Sequence, residues 1–421
     1  MNETLTPLSF DVLLRWLKTG ERTGNLFGIP RDLFFTPRAD DPFRLEVPGA
    51  TLETPLGVAA GPHTQLAQNI VAAWLCGARE IELKTVQVLD ELEIPRPCID
   101  AGDEGYNVEW SQELRLDESF DQYLNAWVLI HLLARRLGHP GTGPGCRFHL
   151  SVGYNLEGIQ TPKVQRFLDR TRHCPDELAE KLAQVARVFP DCADLPVSAS
   201  FGGAITLSTM HGCPPSEIGA IARHLIEERR LPTTIKLNPT LLGPEELRGI
   251  LNDSLGFPVE VPNEAFAHDP TFPAAVEMLR GLVACAERAG IPFGVKLTNT
   301  LESRNLRRVL TGDVHYLSGR PLHALSTRLA AHLAAEFAGR LPISFAGGAD
   351  AFALPDLLAA GLRPVTLCSD ALKPGGYGRL SQYIEELRAR MEQGGIHSLA
   401  EWTASDTVGA LRQLSEQVRQ D

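Results

Sequence analysis

Residues 205–215 read ITLSTMHGCPP: a short β-branched run, Ile205 to Ser208, stops at polar residues, turns at Gly212 and stiffens through Pro214 and Pro215. That is the outline of a strand whose C-terminal end opens on a shaped loop, the repeating part of a parallel βα unit. Working outward, the same outline recurs at Leu56 to Ala60, Glu80 to Val86, Phe148 to Gly153, Thr234 to Leu237, Pro292 to Leu297, Ile343 to Phe345 and Pro364 to Cys368. Eight such units predict an α/β fold closed as a (β/α)8 TIM barrel.

Helical periodicity fills several intervals between these strands. HTQLAQNIVAAWLCGA puts Leu66, Ile70, Ala73 and Trp74 on one stripe and stops at Gly77, and the segments ending at Gly290 and Gly339 repeat the arrangement. Two long inserts separate the second, third and fourth strands. One carries the Pro-, Gly- and acid-rich loop IPRPCIDAGDEGYNVEWSQEL before a helix around Phe120 to Arg136, and the other is charged helical sequence from Gln160 to Phe189. Inserts of this kind in a barrel sit over the active-site face. SFDVLLRWL, Ser9 to Leu17, predicts a capped amphipathic helix docked on the core. The expected organisation is an N-terminal extension over 1–50 packed on the barrel, the barrel over 51–390 and a C-terminal helical tail over 391–421.

With 421 residues and 43% hydrophobic content the chain can bury a large core. A net charge of -12 without a basic run disfavours a phosphate-backbone partner and favours a small molecule. The eight cysteines are scattered singly, so neither a metal site nor an iron–sulfur cage is expected, and no G-x-G-x-x-G follows a strand to make an NAD site. No signal peptide and no membrane span is legible, which leads to the expectation of a cytoplasmic protein with reduced thiols.

In a barrel the chemistry gathers at the C-terminal strand ends, and here those ends are polar or reactive: AAGPHTQ, ELKTVQ, SVGYN, LSTMHGCPP, KLNP, KLTN, FAGGA and CSDALKPGGYG. Lys84 and Lys236 each end an apolar strand, where an ammonium needs an anion or an electron-rich ring; a barrel carboxylate such as Glu82 is the simpler partner. Lys296 repeats the pattern and could pair with a carboxylate. Gly347 and Gly348 can lend backbone amides to a phosphate, or make a tight turn. Cys213 is held where a thiol can give or take a proton, with His211 as a neighbour, or else is a spectator. Asn107, Asn155, Asn238 and Asn299, joined by Thr209 and Thr300, present alternating donors and acceptors that complement a cyclic imide or ureide; turn capping is the alternative for each. His63 and Gln65 are further candidates for ligand contact or helix capping.

GVAAG, IELKTV, SVGYN, LSTMHGCPP, KLNPT, KLTNT, YLSGR and FAGGA stand in the order that resembles the flavin barrels of dihydroorotate and dihydropyrimidine dehydrogenases. From about Phe27 to about Arg388, AAGPHTQLAQN, TLSTMHGCPP, KLNPTLLG, GVKLTNT and LKPGGYGRL are more similar still to the barrel of the selenate reductase subunit family, a bacterial group linked to purine catabolism. The resemblance implies FMN as cofactor and an oxidoreductase of the EC 1.3 kind. It implies FMN contacts at Ala60, Gly61, Lys84, Asn155, Lys236, Ser318, Gly319, Gly347, Gly348 and Ser369, with the lysines facing the ring and stabilising its reduced anion. It implies Cys213 as the proton donor or acceptor, and a pyrimidine- or purine-like heterocycle bound by Asn107, Asn155, Asn238, Asn299 and Thr300. Electrons are then expected from a partner flavin or iron–sulfur subunit, within an oligomer. Asp370 departs from the pattern, because a carboxylate there would repel the FMN phosphate. It keeps open a cofactor-free assembly or substrate-delivery subunit, beside a non-redox barrel enzyme using Cys213 and Lys236.

Overall fold

The computed structural model describes residues 5–89, 94–101, 105–107, 112–141, 143–208 and 212–419. Eight parallel strands close a barrel: β1 (Leu56–Val58), β2 (Glu80–Glu82), β3 (Arg147–Val152), β4 (Ile205–Leu207), β5 (Thr233–Leu237), β6 (Phe293–Leu297), β7 (Ile343–Phe345) and β8 (Val365–Leu367). They stand in chain order, and β8 closes the ring by pairing Val365 with Leu56 and Leu367 with Val58. Each expected strand is present, shifted by no more than a few residues where turn chemistry trims its ends.

Along the strands, one set of alternate residues is buried and apolar: Leu56, Val58, Ile81, Phe148, Leu150, Ile205, Ile235, Val295, Phe345 and Val365. These face the covering helices, because successive side chains point to opposite sides of a strand. The other set is polar. Glu82 of β2 bonds Lys296 of β6 at 2.8 Å, and since β2 and β6 are not neighbours, the pair can meet only across the barrel interior. The barrel is therefore apolar outside and polar within.

The helix Ala67–Leu75 after β1 buries nearly its whole surface, with Ile70, Val71, Ala73 and Trp74 sealed. Leu66 is its N-cap rather than its first stripe residue, because Pro62–Thr64 forms a separate 3-10 turn. Leu116–Leu137 and the pair Pro162–Arg172 and Pro175–Val188 fill the two long inserts. The N-terminal helix runs Phe10–Thr23, capped by Ser9, whose hydroxyl accepts from the Val12 amide. It lies along Pro175–Val188, where Lys18 Nζ donates to the Val188 carbonyl at 3.0 Å.

Besides the short antiparallel pair Asn25–Leu26 and Ile29–Pro30, two larger features lie outside the strand–helix pattern. The antiparallel hairpin Leu45–Val47 and Ala50–Leu52 sits at the N-terminal ends of the strands. Over the opposite end, Ile99–Ala101, Gly105–Asn107, Leu301–Arg304 and Val314–Ser318 form a four-stranded antiparallel sheet, the first two of them in the stretch that reads as loop in the sequence. Among the described residues, no helix is long and apolar enough to cross a membrane.

Candidate active site at the C-terminal mouth

The strand ends enclose a cavity of about 170 Å³ lined by Ala60, Lys236, Thr300, Ser318, Gly319, Gly348 and Ser369, among others. Seven of the residues singled out in the sequence thus come together, from the ends of β1, β5, β6, β7 and β8 and from the sheet above them. The cavity wall carries Lys236, Arg320, Lys373 and Arg379 against Asp350 and Asp370, a surplus of positive charge suited to an anion.

Beneath this cavity, Glu82 is fully buried and accepts from Lys296 Nζ at 2.8 Å and from the Ala60 amide at 2.9 Å. Burial alone would raise its pKa, but the charges of Lys296 and Lys236 and these two hydrogen bonds outweigh that and hold the carboxyl well below the usual range. Glu82 therefore bonds Lys296, not Lys84 or Lys236, to which the simpler reading had assigned it. Burial lowers the Lys236 pKa, the Glu82 carboxylate partly restores it, and Lys296 lowers it further. Lys84 is buried just beyond β2.

The glycines at the end of β7 and beside the sheet are required by space. At Gly348, φ is +67° and a Cβ would lie 2.1 Å from the Gly319 carbonyl; at Gly347 a Cβ would lie 2.0 Å from Ser326 Oγ. Gly105, which the sequence reading had passed over, has no room either, since its Cβ would meet Ser318 Oγ at 2.7 Å and Ser369 Oγ at 2.8 Å. The result is a backbone-walled cradle. Ser318 Oγ donates to the Gly105 carbonyl at 2.9 Å and lies 2.7 Å from Ser369 Oγ. With the Ser318 proton committed, Ser369 must be the donor in that pair, so neither hydroxyl proton is turned to the cavity as it stands.

Asp370 is not a bare carboxylate. Arg379 grips it with two bonds, Nε to Oδ2 at 3.0 Å and Nη2 to Oδ1 at 2.9 Å, and Tyr383 Oη donates to Oδ2 at 2.8 Å. The departure noted in the sequence is thus neutralised by an arginine nine residues on, inside the segment KPGGYGRL.

Cys213 is half-buried at the start of the helix Pro215–Arg223 and outside this cavity. Burial pushes its thiol pKa up to about 11, with the carboxylates of Glu217 and Asp269 adding to the effect. Asp269 Oδ1 accepts from the Gly212 amide at 2.8 Å, and its Oδ2 accepts from Asn238 Nδ2 at 2.9 Å and Thr240 Oγ1 at 2.6 Å. Asn238 Oδ1 in turn accepts from Asn299 Nδ2 at 2.7 Å, and Asn299 Oδ1 accepts from Ser208 Oγ at 3.3 Å. This row ties the cysteine loop to the ends of β5 and β6. Thr209 and His211 lie outside the described residues.

Asn107 is fully buried, and among the described residues neither its Nδ2 nor its Oδ1 finds a partner. An amide left so costs about 1–3 kcal/mol per group, which a bound molecule would recover. It shares a sheet face with Gly105, two residues away, and so points toward the cradle. Asn155 behaves differently. It is exposed, caps the helix Leu156–Ile159 by accepting from the Gly158 amide at 2.8 Å, and lines a separate recess with Glu217. His63 is buried with its pKa lowered to about 4, by burial and then by Lys84, so it is a neutral imidazole near neutrality; its Nδ1 lies 3.9 Å from Cys368 Sγ. Gln65 Oε1 accepts from the Glu113 amide at 2.8 Å, tying two loops together. Gly61 packs against the His63 ring.

A second cavity, about 430 Å³, lies at the other end of the barrel, between the hairpin residue Glu46 and the strand starts, with Glu80, Arg147 and His149 in its wall. The acceptors of Glu80 are already committed to Arg147, at 2.9 and 3.0 Å, and to His149 at 2.8 Å. Conserving barrel geometry through such ion pairs is the ordinary business of that face, whereas the reactive strand ends open on the first cavity.

Residues 27–421 match a family model described as oxidoreductase YgfK, N-terminal TIM-barrel domain. YgfK of Escherichia coli strain K12, a provisionally assigned oxidoreductase, is 44% identical over 408 residues, which is 92% of this chain and 39% of that protein. Its counterpart in strain O157:H7 gives the same figures. The chain thus spans about two fifths of the length of these relatives. Among solved structures, ligand-free dihydroorotate dehydrogenase of Eimeria tenella superposes with a TM-score of 0.55 at 17% identity, covering 94% of this chain and 98% of that one. The same enzyme in complex with ferulenol gives 0.55 at 16% identity, covering 94% of each chain.

Proposed function

The chain belongs to the oxidoreductase YgfK N-terminal TIM-barrel family, and from that premise we propose that it is the FMN-binding, substrate-reducing barrel of an oxidoreductase acting on a C=C or C=N bond of a pyrimidine- or purine-like ring. The observation that carries this reading is one cavity that joins Ala60 and Lys236 to the cradle of Gly319, Gly348 and Ser369. The residues present fit the cofactor: a positive surplus and backbone-walled glycines suit a phosphate, Lys236 suits an electron-rich ring, and Asn107 holds an amide in want of a partner. Arg379 also weakens the reading of a cofactor-free assembly subunit, since Asp370 was its main support.

When bound, FMN would supply hydride to one carbon of the ring. Cys213 gives the Sγ proton to the neighbouring carbon and is reprotonated from solvent. A thiol held protonated by burial, and further by Glu217 and Asp269, favours reduction of the ring over its oxidation. The two electrons come from a partner flavin or iron–sulfur subunit or module that draws on a reduced nicotinamide. A ring, rather than selenate, suits the amide-lined mouth.

The test is anaerobic reduction of the FMN-reconstituted protein, followed by addition of uracil, thymine or xanthine. Reoxidation of the flavin by at least one ring class is expected; a protein that takes up no FMN, or that no such ring reoxidises, would sink the proposal. Arg379→Ala should weaken FMN binding by about tenfold or more, because an unmasked Asp370 then faces the phosphate. Riboflavin, which has no phosphate, should bind the variant and the parent equally in the same fluorescence titration.

A further inference from the structure

Asp269 was invisible in the sequence, yet it sits at the head of the row that runs along the mouth. It follows the short helix Asn263–His268, is 6% exposed, and takes the Gly212 amide on one oxygen and Asn238 and Thr240 on the other. An ionised carboxylate only accepts hydrogen bonds. Whichever end of the Asn238 amide faces it must therefore be the NH2 end, at 2.9 Å. That turns Asn238 Oδ1 toward Asn299, which must answer with its own NH2 at 2.7 Å and turn its Oδ1 to Ser208 Oγ at 3.3 Å. Every donor in the row points back to Asp269, and neither amide can flip without setting like against like.

We propose that Asp269 is a positioning residue that fixes the polarity of this amide row, so that the row offers N–H donors to a bound ring, and that the same carboxylate anchors the Cys213 loop through Gly212. Each amide oxygen of the row keeps a second lone pair, and the hydrogen left unspent on Asn238 is the second one of Nδ2. On Asn299 the second Nδ2 hydrogen has only a long contact, 3.5 Å, to the Lys236 carbonyl. A ring that meets these unspent hydrogens presents carbonyl oxygens to the ends of β5 and β6. This rests on the reading of the mouth as a ring-binding site, and it narrows the substrate class to rings with a carbonyl-rich edge. A site that offers donors rejects a ring lacking the acceptors more strongly than a difference in size would.

The experiment compares binding of uracil and 2,4-diaminopyrimidine, rings of one shape and opposite edge polarity, to the FMN-reconstituted protein under mildly alkaline conditions where both are neutral. Flavin absorbance changes report occupancy. The parent protein should prefer uracil by at least about tenfold, and Asp269→Asn, which can accept or donate, should narrow the preference to within about threefold. An equal or reversed preference in the parent, binding of neither ring, or a preference undiminished in Asp269→Asn overturns the proposal; the parent result decides the polarity even should the variant not fold. A second readout needs no ring. Among the described residues the charged groups acting on the Cys213 thiol are Glu217, on the helix Pro215–Arg223, and Asp269, so Asp269→Asn should speed iodoacetamide labelling of Cys213, mapped by mass spectrometry, by several-fold. Unchanged labelling would contradict the anchoring half of the claim. Cys213→Ala run in parallel keeps the two readings apart: full turnover in that variant defeats the acid role of the thiol and leaves the ring preference to be judged separately.

Discussion

Replacing Cys213 by alanine is expected to slow turnover about a hundredfold, the lower end of what a placed general acid supplies, while FMN uptake stays at the parent level. The thiol stands outside the cradle cavity, so its removal leaves the proposed cofactor contacts in place. Its pKa, pushed up to about 11 by burial and two carboxylates, keeps it protonated across the neutral range. The acid form is the active one for reduction, so the parent rate should hold through neutrality and fall as the pH climbs toward about 11. Cys213→Ser, a weaker acid in the same position, should fall between the parent and alanine. Steady-state rates with a reoxidising ring and an artificial electron donor give the measurement, and an alanine variant at parental rate would remove the thiol from the chemistry.

The largest effect on stability should come from Lys296→Met. Lys296 and Glu82 are 3% and 0% exposed, and the lysine is the cation that bonds the carboxylate across the barrel. Deleting one partner strands the other in a low-dielectric interior, at a cost of about 3–5 kcal/mol. The pH dependence has a definite sign. A carboxyl whose pKa is depressed by folding contributes stability that is complete above its ordinary value of 4.5 and is lost as the pH falls toward the folded-state value. With Lys296 gone the depression shrinks, so Lys296→Met should lose its remaining stability at a higher pH than the parent in urea melts on the acid side. Adding Glu82→Gln should recover at least half of the loss, because the amide keeps an acceptor for the Ala60 N–H and leaves no unpaired charge. A double variant no more stable than the single one would mean that Lys296 acts through packing.

The eight strands were legible because each is short, apolar and ended by turn-forming residues, and the covering helices carry a 3.6-residue period. The sheet above the mouth was not. Its strands run only three to five residues, IDA, GYN, LESR and VHYLS, with no clear alternation, and Tyr316 pairs with Asn107 across two hundred residues of chain, give or take. Residue types at the strand ends marked the cradle, and Ser318, Gly319, Gly348 and Ser369 do meet there. What single positions could not carry was the pairing. Asp370 reads as a lone carboxylate until Arg379 is seen on it, although an arginine so near in the chain was a usable signal. Asp269, in AHDP, carries no pattern at all, because the partners Gly212, Asn238 and Thr240 come from two segments distant from it in the chain. Asn155 shows the opposite limit, since a residue type suited to recognition is here occupied in capping a helix.

The sheet over the mouth also bears on how the molecule assembles. One wall of the cradle, Gly105, is delivered by the segment 99–107, and another, Ser318 and Gly319, by the segment 301–319. Bringing such distant stretches together loses more chain entropy than any strand-to-next-strand step of the barrel. A nascent chain can therefore complete several βα units before the pocket exists, and the capacity to take up a phosphate should arrive late. Flavin capture during refolding would then mark the end of the process rather than its nucleus, and a ligand added early would speed nothing while still locking the finished product.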